Sequence, residues 1–251
     1  MTTPNDELIA RMAAQIARWE REGDRRAVFL ACYILMTGNM ARAVVDGRFR
    51  DSAWVTTLIT NFAGYYFDAL DAYEGGSGRL PQVWQCAHDL ARAPTTTVMQ
   101  TLLMGVNAHI NCDLVLVLDD MLAPEWARLA ATERAERYYD YCLVNTIIGE
   151  TIDTVQDRVI APYARLMGLV DTLFGPLDEW CTARLIRNWR DDVWCRALAL
   201  IAVEDATQRQ ELRRETDAIA LQRIALLAEG GALGARVFGY PLRHLHRLRL
   251  L

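Results

Sequence analysis

The sequence predicts an all-α chain, a single-domain multi-helix bundle with a buried polar cluster, and three observations predict it. Apolar residues recur at spacings of three and four over many windows, with no long period-two alternation. No low-complexity linker divides the 251 residues, of which 52% are hydrophobic, enough to bury one substantial core. Short polar stripes also interrupt helices that are otherwise apolar.

The elements follow in order. Thr3 with Pro4 at a first helical position opens a helix that runs to about Glu22, before Gly23-Asp24. A second helix is predicted from Asp24 to about Asp46. Asp51 caps a third through SAWVTTLITNFAGYYFDALDAYE, which Gly75-Gly76 ends. Pro81 restarts a short helix to Arg92, and after Pro94 the Thr95 to Thr97 cluster caps a central helix that stops near Asp119-Asp120. Thr132 with Glu133 begins a long helix to Ile160, which Pro162 kinks or ends. A short helix to Phe174 and a break at Gly175-Pro176 come next, followed by a helix from Asp178 to Val203 and a charged, surface-lying one to Glu229. The layout expected is N-terminal helices in 1–50, a motif-bearing core in 51–203, a surface helix in 204–230 and a Gly-punctuated basic tail in 231–251.

A formal charge of -5 offers no basic face for a nucleic-acid backbone. Neither a signal-type leader nor a transmembrane segment is expected, since no run reaches ~18 apolar residues free of charges and amides, so a cytoplasmic location is expected. The six cysteines are scattered singly with no CxxC pair, which indicates reduced thiols rather than a zinc site or a disulfide framework. Oligomeric state is not legible.

The central helix carries the chemistry. In LLMGVNAHINCDLVLVL, His109 and Asp113 lie four residues apart on one face, and Asn107 and Asn111 form a second such pair. A carboxylate beside a histidine can orient the ring and fix its tautomer, as an acid/base pair requires. Two other helices carry stripes: Asn61, Tyr65 and Asp68 with Asp71, and Asn145, Gly149 and Asp153 with Gln156 and Asp157. The economical expectation is that these converge on one buried cluster. Catalysis is assigned to His109, Asp113, Asp68 and Asp153, and substrate binding to Asn107, Asn111, Tyr65, Asn145, Asp157, Arg190 and Trp194. Arg190 would neutralise excess carboxylates or clamp an anionic group; a surface arginine paired with Asp191 is the plainer alternative.

No Glu-x-x-His motif supports a ferritin-type dimetal site, and no phosphate loop or nucleophile elbow occurs. The Asn145, Gly149, Asp153 spacing, with Asp119-Asp120, echoes the metal motifs of class I terpene synthases. Glycine, however, replaces their serine or threonine, and the two motifs sit too close together. A metal ion held by His109, Asp113, Asp68 and Asp153 is chemically possible, but a cofactor-free site is expected. Three functions compete. One is an acid-base enzyme of cyclase, lyase, isomerase or hydrolase type on a largely hydrophobic small molecule, such as a natural-product or lipid-like chain. Another is a metal-dependent hydrolase of a phosphoester or lipid. The last is a non-catalytic helical binding or scaffold protein whose buried polar network merely specifies helix register, for which no cavity beside His109 is expected.

FDALDAY, LLMGVNAHINCDL, the segment from Asn145 through VQDRV, and WRDDVW occur in the order found in a bacterial domain-of-unknown-function family marked by Asn-Ala-His-Ile-Asn. The chain resembles that family over about Ala53 to Leu200. The resemblance implies an all-helical fold and a shared polar site at Asp68, Asn107, His109, Asn111, Asp113, Asn145, Asp153, Asp157, Arg190 and Trp194. Gly64-Tyr65 departs from the family pattern, in which a polar pair precedes the aromatic of the FDAL motif.

Overall fold

The computed structural model describes residues 4–166 and 177–228, and every element among them is helical. The first helices, α1 (Pro4–Glu22) and α2 (Ala27–Val45), pack as a hairpin. Gly23 sits at φ 67°, and the Asp24 N–H reaches back to the Trp19 carbonyl at 2.8 Å, closing α1 with a left-handed glycine cap. The Asp24 carboxylate then accepts from the backbone N–H and guanidinium of Arg26. This turn holds residues 24–26 out of the helix, so α2 starts three residues later than its sequence predicts.

In α3 (Ser52–Tyr73) the predicted cap is present, with Asp51 accepting from Trp54 N–H at 2.9 Å. Two helix starts depend on carboxylates from distant segments. Asp217 accepts the N–H groups of Gln82 and Val83, both at 2.9 Å, at the start of α4 (Gln82–Arg92). Buried Asp140 likewise accepts those of Arg50 and Asp51, just before α3. Asp140→Ala or Asp217→Ala leaves two N–H groups without acceptors and should lower unfolding stability by about 2–4 kcal/mol. Urea titration measures this.

The central rod comprises α5 (Val98–Ala108), a single π turn (His109–Asp113) and α6 (Leu114–Leu122). Thr97 and Gln100 form a reciprocal capping box at its start, as the threonine cluster predicts. One core joins α1, α2, α3 and α4 to the first half of the rod; the other joins α3, α7 (Ala131–Val155) and α9 (Leu177–Ile201) to the second half. The π turn lies where the two cores meet.

The long helix does not run unbroken to Ile160. It ends at Val155 and passes through a second π turn (Gln156–Ile160) into α8 (Ala161–Leu166), so the widened turn stands just before Pro162, which has no N–H to donate. The last described helix is α10 (Ala206–Ala228). It is not merely surface-lying, because Thr216, Asp217, Ala220 and Ile224 are buried against α4 and the rod. Part of the predicted helix to Phe174, the Gly175-Pro176 break and the basic tail lie outside the described residues.

Two helices, Ala27–Val45 and Val98–Leu122, are long and apolar enough to cross a membrane by length and composition, more than the sequence expectation allowed. The second is 89% buried by protein, as the core helix of a bundle would be.

Candidate functional site

The π turn determines what the rod presents. Its widening replaces one i→i−4 hydrogen bond with the longer bond from Leu114 N–H to the His109 carbonyl. Such inserted turns recur at functional sites because they re-aim side chains within a helix. Here the turn holds His109, Ile110, Asn111, Cys112 and Asp113, all buried.

On one face, His109 Nδ1 meets Asp113 Oδ2 at 2.9 Å, as the spacing predicts. A third member comes from α4. The Trp84 indole N–H donates to both Asp113 oxygens, at 3.1 and 2.9 Å, and sequence reasoning missed it because a contact across 29 residues leaves no local pattern. His109 is 4% exposed and Asp113 1%. The imidazole stacks on Phe62, with ring centres 3.5 Å apart and planes inclined by 8°, and Tyr33 stands edge-on at 4.4 Å. Phe29, Tyr66 and Trp84 complete an aromatic nest.

Burial governs the charge. It pushes His109 well below the ordinary imidazole value and lifts Asp113 well above the carboxylate range, although the Trp84 hydrogen bond pulls the acid the other way. The pair is therefore electrically neutral, with one proton held between Nδ1 and Oδ2. With the Asp113 carboxyl donating its hydrogen to Nδ1, the ring's own hydrogen sits on Nε2, an atom that makes no hydrogen bond among the described residues.

That imidazole forms part of the wall of a cavity of about 140 Å³, close to the ~150 Å³ at which an apolar cavity holds benzene. The walls are mainly Phe29, Met36, Met40, Leu58, Phe62, Leu114, Ile147 and Ile186; their polar groups are those of Cys32, Tyr33, Thr37, His109 and Arg190. The Tyr33 phenol is held neutral by burial. A non-catalytic framework was expected to have no cavity beside His109, so its presence favours a ligand site.

Gly105 lets one wall residue, Phe29, pack closely against the rod. A Cβ there would stand 2.5 Å from Phe29 Cγ and 2.8 Å from its Cβ, atoms too near the backbone to swing aside. Gly105→Ala should lower stability by about 1–2 kcal/mol, overpacking outweighing the better helix propensity of alanine. Thermal unfolding at fixed pH checks it.

The other predicted residues are distributed differently. Asn107 and Asn111 face α10 rather than the cavity: Asn107 donates to the Ala220 carbonyl at 2.8 Å, and Asn111 donates to Asn107 at 3.0 Å while accepting from Arg223. Arg196 on α9 adds a bond to the Asn111 carbonyl at 3.0 Å. This second polar face ties three helices together; Arg196 and Arg223 carried no sequence signal.

Asp68, Asp153 and Asp157 are exposed and do not join His109, and no group of three or more His, Cys, Asp or Glu residues is placed to hold a metal among the described residues. The stripes failed as inward markers because their flanking residues take the core positions. Around Asp68, for example, Tyr66, Phe67, Ala69 and Leu70 are the buried ones. Tyr65 also lies elsewhere, half-buried and bonded to Asp120 and Arg213. Asp119, fully buried, is clamped by Arg209 and Arg213, so the Asp119-Asp120 pair is committed to ion pairs with α10.

Arg190 does reach the cavity. Buried to 4% exposure, it donates from Nε to Asn145 at 2.7 Å and from Nη2 to the Tyr141 carbonyl at 2.9 Å, with its guanidinium over the Tyr141 ring. Asn145 thus positions Arg190 instead of facing His109. Trp194 packs against Tyr141, Tyr138 and Trp126 in the second core, away from the cavity wall.

No curated protein and no solved structure matches the chain. The model of one family, described as "Family of unknown function (DUF5995)", matches residues 5–230, a longer stretch than the Ala53 to Leu200 resemblance. With nearly the whole helical bundle, the His109 and Asp113 pair included, inside that match, the chain belongs to this family of unknown function.

Proposed function

We propose that the chain is a small-molecule enzyme in which the His109 and Asp113 pair transfers a proton to a largely hydrophobic substrate, in a cyclisation, elimination or isomerisation. The observation that carries this reading is the uncommitted, buried Nε2 of His109 at the wall of an apolar cavity. A buried polar atom without a partner costs roughly 1–3 kcal/mol unless a ligand satisfies it.

The neutral pair suits general acid chemistry first. Nε2–H donates to a substrate oxygen or to the carbon being protonated, and the Asp113 proton moves to Nδ1 as Nε2 gives up its own. The imidazole stays neutral throughout. Asp113 becomes a carboxylate, which the Trp84 N–H already bridges. Returning the proton to Nε2 in a later step resets the pair, and the neutral Tyr33 phenol is a further hydrogen-bond donor at the cavity wall.

A second reading, a non-catalytic binder of apolar molecules, draws on the exposure of Asp68 and Asp153, which leaves His109 without a carboxylate complement across the cavity. Incubating an apolar cell extract with the protein, with His109→Gln and with Asp113→Asn, followed by untargeted mass spectrometry, separates the two. Consumption of a compound by the wild type alone is expected. Equal consumption by all three, or retention of a compound without conversion, would overturn the enzymatic reading.

A further inference from the structure

Among the described residues, Arg190 is the one formally charged group in the walls of the His109 cavity, and the fold holds it there with neutral partners only. Nε is bonded to the Asn145 amide oxygen and Nη2 to the Tyr141 carbonyl, while the ring of Tyr141 covers the guanidinium at 4.3 Å. Tyr141 is itself fixed, its hydroxyl donating to the Arg190 carbonyl at 2.6 Å. No carboxylate lies within ion-pair distance of Arg190 among the described residues, and Nη1 donates no hydrogen bond there; adjacent Asp191 is exposed. Asn145 and Tyr141 between them set the plane of the guanidinium and leave its Nη1 and Nη2 end with free donors.

A buried cation without a counter-charge is costly, and a planar guanidinium end with unused donors matches a carboxylate in two parallel hydrogen bonds. A dianionic phosphate would bring more charge than this single cation can balance. At the same time the remaining walls are apolar, so an anion entering the cavity must carry an apolar body. We infer that the ligand of this cavity is an amphipathic monocarboxylate, its carboxylate on Arg190 and its apolar body against Met36, Met40, Leu58 and Ile186. The inference rests on the reading of the His109 cavity as the substrate site and names the class of substrate it takes.

Hexanoate and 1-hexanol, which share a chain and differ in charge, test it by calorimetric titration of the whole protein. Hexanoate should bind at least about ten-fold more tightly than hexanol, the difference expected of a charge-assisted pair. Arg190→Met should abolish that preference while keeping hexanol binding, and Arg190→Lys, which retains charge without the fork, should keep only part of it. Equal binding of the two probes to the wild type would overturn the carboxylate assignment while leaving the cavity reading intact. Binding of neither would overturn the cavity reading and the inference with it. Because the wild-type comparison decides, a poorly folding Arg190→Met variant does not rescue the proposal.

Discussion

Asp113→Ala should destabilise the fold by about 3–5 kcal/mol, whereas Asp113→Asn should cost less than about 1.5 kcal/mol. Alanine strands the Trp84 N–H and His109 Nδ1 and opens a void where the side chain is 1% exposed. Asparagine reproduces the protonated acid: its oxygen accepts from Trp84 and its amide donates to Nδ1, as the carboxyl hydrogen does in the neutral pair. Proton transfer would nonetheless stop, because an amide cannot release that hydrogen. Denaturant titration of both variants measures the contrast. A large loss for asparagine would indicate an ionised Asp113.

The second large effect is in pH dependence, through His88 and the His109 and Asp113 pair. Burial between Trp84 and its neighbours lowers His88 to about 3, with the Arg26 charge adding to the effect. A depressed folded pKa gives stability that is present above the unfolded value of ~6.5 and is lost as pH falls toward 3. At ~1.4 kcal/mol per unit this amounts to about 5 kcal/mol over the window. The neutral pair adds a different shape. Between ~3.9 and ~6.5 the unfolded chain holds aspartate and imidazolium, the same net charge as the folded pair, so the pair contributes no slope. Above ~6.5 the unfolded chain has lost a proton that the folded pair keeps, and stability falls as pH rises. Below ~3.9 the unfolded chain has gained one, and stability falls again. His88→Gln should therefore flatten the loss between pH 6.5 and 4, and Asp113→Asn the loss above 6.5, in urea titrations across pH.

The helices were legible because their signals are local. The glycine at Gly23, the caps at Asp51 and Thr97, and the i, i+4 spacing of His109 and Asp113 each act within a few residues. What was not legible depends on tertiary packing. Trp84 reaches Asp113 from another helix, and Asp140 and Asp217 cap helix starts about 90 and 135 residues away. A polar stripe on a helix does not say which way it faces: Asn107 and Asn111 turned to α10, Asp68 and Asp153 to the exterior, and only His109 and Arg190 to the cavity. The π turn, an extra residue within one continuous helical rod, gave no sign in the spacing at all.

The ring state of His109 carries the proposed chemistry, and it can be observed. The chain has four histidines, His88, His109, His244 and His246, so selective nitrogen labelling gives few imidazole signals, and His109→Gln assigns the relevant one. The expected spectrum shows His109 protonated at Nε2, unchanged between pH 5 and 8, and shifted when 1-hexanol fills the cavity. A ring without hydrogen on Nε2, or one that titrates near 6.5, would contradict a neutral acid-base pair presented to a ligand.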